Sequence, residues 1–397
     1  MVFSREVPMT SRQRLLSVFN FASPDRVPVA LFATDTDIAD GLCDTVLGER
    51  TGDDLDDLIR FNRALGVDIM LRTSADVFEP IAFDLESDNW RHQWHLDGDG
   101  RRLTHRIMTP GGDLTEAFNL AGEQFHGDYT RQWMKLRNVR TEWLIKRRED
   151  LELVAEYRPA VPDYDLSYTA EAARRLGDGG VVLPRVPSSV FNSAAGLMNL
   201  EGLLTAAVTD GAFYGQLMEL CLSDVVAAGA KVAAAGGDVM RVVGNIAGGG
   251  VVGPAFYARH VLPYEKRYID SLSAGGAKVL FHNCGQCTGL LNIYARMLDG
   301  NALESLSPAA AGGDIDSLRA ARGMIGENIV MVGNFDQVHT LKNGTAPDIR
   351  RQAERIFEET RGDRAFIFST SDSLAPGTPR QNIETMVECA LELAQKG

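Results

Sequence analysis

The decapeptide Lys278-Val-Leu-Phe-His-Asn-Cys-Gly-Gln-Cys287 contains an apolar run, Val279 to Phe281, with Gly275-Gly276 before it and Gly285 after it. A short apolar run punctuated by glycine reads as a buried strand. His282 and Cys284 stand where that strand gives way to the next helix. Residues two apart on an extended backbone point to the same side, so the imidazole and the thiol can face one spot. Nitrogen and thiolate sulfur converging there suit a borderline-soft cation such as zinc. Two ligands do not complete a site, and the rest of the chain has to supply a third.

Outward from this strand, a strand-then-helix rhythm recurs. Strand candidates are Val27–Phe32, Val67–Leu71, Val181–Arg185, Val239–Gly244, Val279–His282, Ala302–Leu306, Ile329–Gly333 and Ala365–Ser369. Helical spacing fills the intervals, at Ser11–Phe21, Asp53–Leu65, Phe213–Ala235 and Pro254–Ser273 among others. Eight strands alternating with helices predict an α/β fold, a single (β/α)8 TIM barrel. A doubly wound open sheet is the competing architecture, but no G-x-G-x-x-G follows an early strand. The rhythm breaks between about residues 75 and 160. Polar and apolar residues alternate there around Asp97-Gly-Asp-Gly100 and Pro110-Gly-Gly112, which predicts hairpins, and Thr141–Tyr157 reads as a charged amphipathic helix. No flexible linker bounds the stretch, so it is expected as a hairpin and helix elaboration of the barrel within one domain spanning 1–397.

Bulk properties exclude several function classes. The chain of 397 residues is long for one ordinary domain but fits a barrel with insertions, and its 45% hydrophobic content is ample for a core. A formal net charge of −14 argues against nucleic acid or an anionic membrane surface as partner. No apolar run approaches a membrane span, and the first residues lack the apolar region of a secretory signal. Five cysteines, odd in number and mostly scattered, fit a reducing compartment, so a cytoplasmic enzyme is expected.

Barrel active sites form at the C-terminal ends of the strands. The residues just past each candidate strand are mostly polar, among them Asp35, Arg72, Asn245, Asn334 with Asp336, and Ser371 with Asp372. Each also has a plainer reading. His282 and Cys284 can be a buried polar pair without metal, and Cys284-Gly-Gln-Cys287 has the spacing of a redox pair, though its setting on a late strand is wrong for one. Cys287 is also a rival third metal ligand if Gly285 lets the chain turn back. Asn245 can be a turn former before Gly248-Gly-Gly250, a run that lacks the spacing of a phosphate loop. Asp336 reads as a helix cap, and Asn334 as a cap or a substrate-orienting group. Trp90, Trp94, Trp133 and Trp143 read as core, with a lid as the alternative.

Several stretches resemble the uroporphyrinogen decarboxylase superfamily. They are Arg12-Gln-Arg-Leu-Leu-Ser-Val-Phe-Asn-Phe-Ala-Ser-Pro-Asp-Arg-Val-Pro-Val29, Val261-Leu-Pro-Tyr264, Val279-Leu-Phe-His-Asn-Cys-Gly285, Gly333-Asn334, and Pro376-Gly-Thr-Pro-Arg-Gln-Asn382. The resemblance runs nearly end to end and is weakest across 75–160. It implies a single-domain barrel, in agreement with the strand count. Decarboxylases of this superfamily carry an arginine-rich R-Q-A-G-R motif after the first strand, and here the matching place reads Leu31-Phe-Ala-Thr-Asp-Thr-Asp37. A polyanionic porphyrinogen needs guanidinium forks, so its decarboxylation is not the expected activity.

His282-Asn-Cys284 instead resembles the zinc motif of the cobamide-dependent methyltransferase branch, which includes coenzyme M methyltransferases and corrinoid O-demethylase components. The resemblance implies zinc held by His282, Cys284 and a late residue, with an open position for substrate. The family's late cysteine is replaced: the matching run is Ser371-Asp-Ser-Leu374, which aligns Asp372 as third ligand. Aspartate is a harder ligand than thiolate, which favours an oxygen-bearing methyl donor over a free thiol. Asp372 has plainer readings as well, as a helix cap or a loop hydrogen bonder. His282, Cys284 and Asp372 are the expected catalytic and metal-binding residues, with Asn245 and Asn334 as expected cofactor contacts. None of the seven histidines sits in a D-x-H-x-x-G corrinoid motif, so cobalamin is expected on a separate corrinoid protein or free. The expected reaction moves a methyl group between a small methoxylated substrate or thiol and that corrinoid; a homodimer is compatible with the resemblance. A metal-free decarboxylase or lyase, and a non-catalytic corrinoid- or tetrapyrrole-binding protein, are the alternatives.

Overall fold

The computed structural model describes residues 8–39, 41, 44–73, 85–120 and 138–395, which fall into two compact units. In chain order the strands are β1 (Ile69–Thr73), β2 (Arg91–Leu96), β3 (Arg102–Thr109), β4 (Gly112–Leu120), β5 (Asn138–Glu142) and β6 (Gly180–Pro184). They continue as β7 (Val239–Val243), β8 (Lys278–Asn283), β9 (Ala302–Ser305), β10 (Val330–Phe335) and β11 (Phe366–Thr370).

The first unit spans the described parts of 1–77, 165–186 and 229–397 and is the barrel. Its parallel strands run β1-β6 and β7-β8-β9-β10-β11. Two seams join these sheets. Val186 N donates to Arg241 O and Asp238 N to Val182 O, which links β6 to β7. On the other side, Ala30 N donates to Phe368 O and Asp68 N to Val29 O, so the segment around Val29 stitches β11 to β1. The expected first strand, Val27–Phe32, is therefore an extended segment with isolated bridges, not a full ladder. Pro28 offers no N–H there, which limits the pairing. The remaining seven expected strands are present within one or two residues of their expected bounds.

Inward-facing residues of the strands make an apolar plug, including Ala30, Met70, Leu183, Val239, Leu280, Ala302, Val332 and Ile367. Helices cover the outside by their apolar faces. In Asp54–Leu65, Leu55, Leu58, Phe61 and Leu65 are buried at three- and four-residue spacing. Asp53 caps its first turn by accepting from Asp56 N, and Gly66 ends it at φ 70°, where a side chain would be strained. Thr10 and Gln13 form a capping box on the helix Ser11–Phe19, which Arg14 ties down through Asp25 and Asp68.

The second unit comprises the described parts of 78–164 together with 187–228, and so takes in more chain than the stretch that breaks the rhythm. Its antiparallel sheet has the order β2-β3-β4-β5, with the hairpins turning at the two glycine-containing stretches expected to turn. Thr141–Tyr157 is not one helix. Thr141 and Glu142 belong to β5, with Glu142 paired to Ala117, and the helix is Arg148–Tyr157. The charged alternation that suggested a helix also fits an edge strand. Trp90 is fully buried, Trp94 stacks on His105 with centroids 3.9 Å apart, and Trp143 Nε1 donates to Ala195 O at 3.1 Å. Trp133 lies outside the described residues.

Candidate metal centre

The site grows from the end of β8. Val279 to Asn283 is buried, and the strand pairs with β9 so that His282 lies beside Glu304 and Asn283 beside Ser305. Asn283, alternating to the other side, donates through Nδ2 to the Tyr294 hydroxyl at 2.7 Å and accepts from Gly285 N at 3.0 Å. These bonds close the turn that carries Cys284. Asp372 lies just past β11, where its Oδ1 accepts from Ser373 N at 2.8 Å. One ligand atom from each of His282, Cys284 and Asp372 lies within 4.8 Å of the others. The helix after Asp372 starts at Arg380 and its cap residue is Pro379, so Asp372 is not its cap.

Cys287 is not part of this group. It is fully buried, its N–H donates to Asp314 Oδ1 at 2.8 Å, and burial followed by the Asp314 charge pushes its thiol up to about 12. Asn245 is exposed and its Nδ2 stands 4.0 Å from Cys284 Sγ. The glycines after it approach backbone: Gly249 N donates to Gln286 O at 2.6 Å. Asn334 is turned away from the barrel interior. It is fully buried, donates to Leu306 O and Ile315 O, and accepts from Arg355 on the covering helix Ala346–Glu359. Gly333, at φ 137°, breaks the alternation that would have aimed Asn334 inward after Val330 and Val332. Asp336 caps the next turn, accepting from Val338 N and His339 N.

Beneath the group lie ionic side chains of which the strand-end reading named only Arg72. Glu304 is fully buried on β9; Arg72 occupies its Oε1, and Arg241 Nε lies 3.3 Å from its Oε2. The same Oε2 is 3.2 Å from His282 Nδ1, with Ser305 Oγ also at 3.2 Å from that nitrogen. Burial acts to raise the Glu304 pKa, but Arg72, His282 and Arg241 together hold it well below the usual carboxylate range. An ionised Glu304 accepts the Nδ1 proton of His282 and leaves Nε2 as the basic nitrogen. The signal for these residues was a charged side chain inside an apolar strand, as in Ala302-Leu-Glu304 and Val239-Met-Arg241.

The chemistry of the donor set fits a cation. Burial, then the neighbouring Asp372 carboxylate, push the Cys284 thiol above its ordinary range. A thiolate, unlike the thiol, would be repelled by that carboxylate unless a positive charge joined the two. A histidine whose second nitrogen is engaged by a carboxylate is the usual support of a metal ligand.

A family profile described as uroporphyrinogen decarboxylase (URO-D) matches residues 140–393. The chain belongs to the uroporphyrinogen decarboxylase family. Among similar URO-D-family relatives, a methylcobamide:CoM methyltransferase (MtbA) from Methanosarcina acetivorans is 25% identical over 66% of this chain and 73% of its own. A uroporphyrinogen decarboxylase from Thermus thermophilus is 30% identical over 61% of this chain and 69% of its own. The fold of this URO-D member is that of a solved methyltransferase from Methanosarcina mazei, with a TM-score of 0.63 at 16% identity over 97% of this chain and 99% of that one. Among the described residues, no helix is long and apolar enough to cross a membrane.

Proposed function

We propose that this chain is a zinc-dependent methyltransferase that moves a methyl group between a small methylated substrate and a corrinoid carried by a separate protein. The observation that carries the reading is the convergence of His282, Cys284 and Asp372 from two strand ends of the barrel. The similarity to a methylcobamide:CoM methyltransferase supports it, as does the absence of an arginine cluster in Leu31–Asp37.

His282, Cys284 and Asp372 would hold the metal, which supplies Lewis acidity toward the heteroatom bearing the methyl group. The chain's own contribution is positional. Glu304, placed at Nδ1 of His282, favours the tautomer that leaves Nε2 as the nitrogen for the metal. Asn283 fixes the turn that presents Cys284. The His, Cys and Asp donor set is harder than one with two thiolates, so we assign it an oxygen-linked methyl group as the preferred substrate.

The test follows cob(I)alamin to methylcobalamin by its visible absorbance, using methoxylated donors, with and without prior chelation of the protein. Transfer that is lost on chelation and restored by zinc is expected. Equal transfer by the chelated protein, or carbon dioxide release from a carboxylated substrate in its place, would overturn the reading.

A further inference from the structure

We propose that Arg241 forms an anion subsite beside the His282, Cys284 and Asp372 group, so that the methylated substrate taken there carries a carboxylate. This rests on the methyl-transfer reading and narrows its substrate class.

Arg241 lies on β7 and is only 9% exposed. Among the described residues the one hydrogen-bonding partner of its side chain is Glu304, reached through Nε at 3.3 Å, and its two terminal nitrogens have no acceptor among those residues. A guanidinium has five donors and no acceptor, so its open edge is a ready partner for an anion. Arg72 shows what a purely structural arginine looks like in this barrel: Nε and Nη2 are both on Glu304, and Nη1 donates to Leu31 O at 2.8 Å.

Two guanidiniums share the single carboxylate of Glu304, and Arg72 takes the larger part of it, through Nε and Nη2, while Arg241 reaches it through Nε alone. The free edge of a guanidinium is planar and forked, the shape that pairs with a carboxylate through two hydrogen bonds.

Arg241 is also near the reacting group. Glu304 Oε2 is shared between Arg241 Nε and His282 Nδ1, so a single oxygen separates the arginine from the imidazole. The Phe32 ring lies under Arg241 at 4.8 Å and has His282 at its edge at 5.4 Å, forming one wall for both. A second unpartnered polar group faces the same interior. Ser369 follows the inward residues Ala365 and Ile367 in strand alternation, is fully buried, and has no partner for its hydroxyl.

The experiment is calorimetric titration of the full chain with methoxyacetate and with its neutral counterpart methoxyacetamide. Wild type is expected to bind the carboxylate more than about tenfold more tightly. Arg241→Gln is expected to erase that preference, Arg241→Lys to keep part of it, and Cys284→Ser to keep it whole. Equal binding of the two probes by wild type, or no binding of either, overturns the subsite without recourse to any variant. A preference lost in Cys284→Ser but kept in Arg241→Gln means that the metal holds the carboxylate, and also overturns it. An Arg241-dependent preference in a protein that takes up no zinc sustains the subsite and removes the methyl-transfer reading instead.

Discussion

Glu304 stands with one oxygen 3.2 Å from Nδ1 of His282 and the other in the grip of Arg72, and all three residues are buried. A single carboxylate thus connects the ion pair inside the barrel to the orientation of a candidate ligand. The stability of the barrel and the binding properties of the site are joined through one side chain.

Glu304→Gln should expose that connection. The amide leaves Arg72 buried without a countercharge, for which a loss of about 3–5 kcal/mol in stability is expected. It also replaces one of the two acceptor oxygens by a donor, so that Arg72 and Nδ1 of His282 compete for the other and the tautomer is no longer fixed, and zinc affinity should fall by about 10–100-fold. Denaturant unfolding and competitive chelator titration measure the two effects separately. Zinc affinity unchanged in a folded Glu304→Gln protein would show that His282 does not depend on Glu304.

Metal content by elemental analysis distinguishes the ligands. The wild-type chain should bind about one zinc, as expected for a site with three protein ligands and an open position. His282→Ala, Cys284→Ser and Asp372→Ala should each lose it. Cys287→Ser should retain it, because that thiol is buried and held apart from the group by its bond to Asp314. Loss of zinc in Cys287→Ser with retention in Asp372→Ala would reverse the assignment of the third ligand.

Gly333 is expected to be intolerant of any side chain. Its φ is 137°, and a methyl group there would lie 2.2 Å from Ser305 O on the neighbouring strand. Gly333→Ala should destabilise the barrel by more than about 2 kcal/mol, through backbone strain and the clash combined. Gly323→Ala is the matched control, since nothing lies within 4 Å of a methyl group at that position. Equal unfolding midpoints for the two variants would contradict the account of the β9-β10 contact.

Asp224 gives the second unit a pH dependence of definite sign. Burial raises its pKa to about 6 from 3.8, even though Arg158 lies 2.5 Å away and pulls in the opposite direction. The folded state therefore holds the proton more tightly than the unfolded one. The contribution to stability is present below about pH 4 and is lost as the pH rises through about 6. Asp224→Asn should flatten that part of the stability profile, measured by denaturant unfolding between pH 4 and 7. A wild-type profile that rises across this window and loses the rise in Asp224→Asn would refute the sign.

Much of the barrel was legible because its signals are local. Apolar runs between glycines mark strands wherever a parallel sheet is covered on both faces, and Leu55, Leu58 and Leu65 mark a helix by spacing alone. The exceptions have local causes too. Pro28 weakens the pairing of the first segment, and the charged residues of Thr141–Tyr157 satisfy an edge strand as well as a helix. Asn334 was aimed inward by simple alternation, and only the positive φ of Gly333 turns it out toward Arg355.

The strand end that presents His282 and Cys284 is written in local pattern, because two residues two apart on a strand face one side whatever surrounds them. The sequence also supplied Asp372 as a candidate, through the resemblance of the chain's last third to a family pattern. Barrel closure, which no local pattern reports, makes Asp372 and not Cys287 the neighbour of that pair. Closing the barrel brings the end of β11 within reach of β8, while the turn at Gly285 sends Cys287 into the core. The pairing of Glu304 with both arginines and His282 was likewise beyond the sequence, since it joins β1, β7, β8 and β9 across intervals that no local pattern spans.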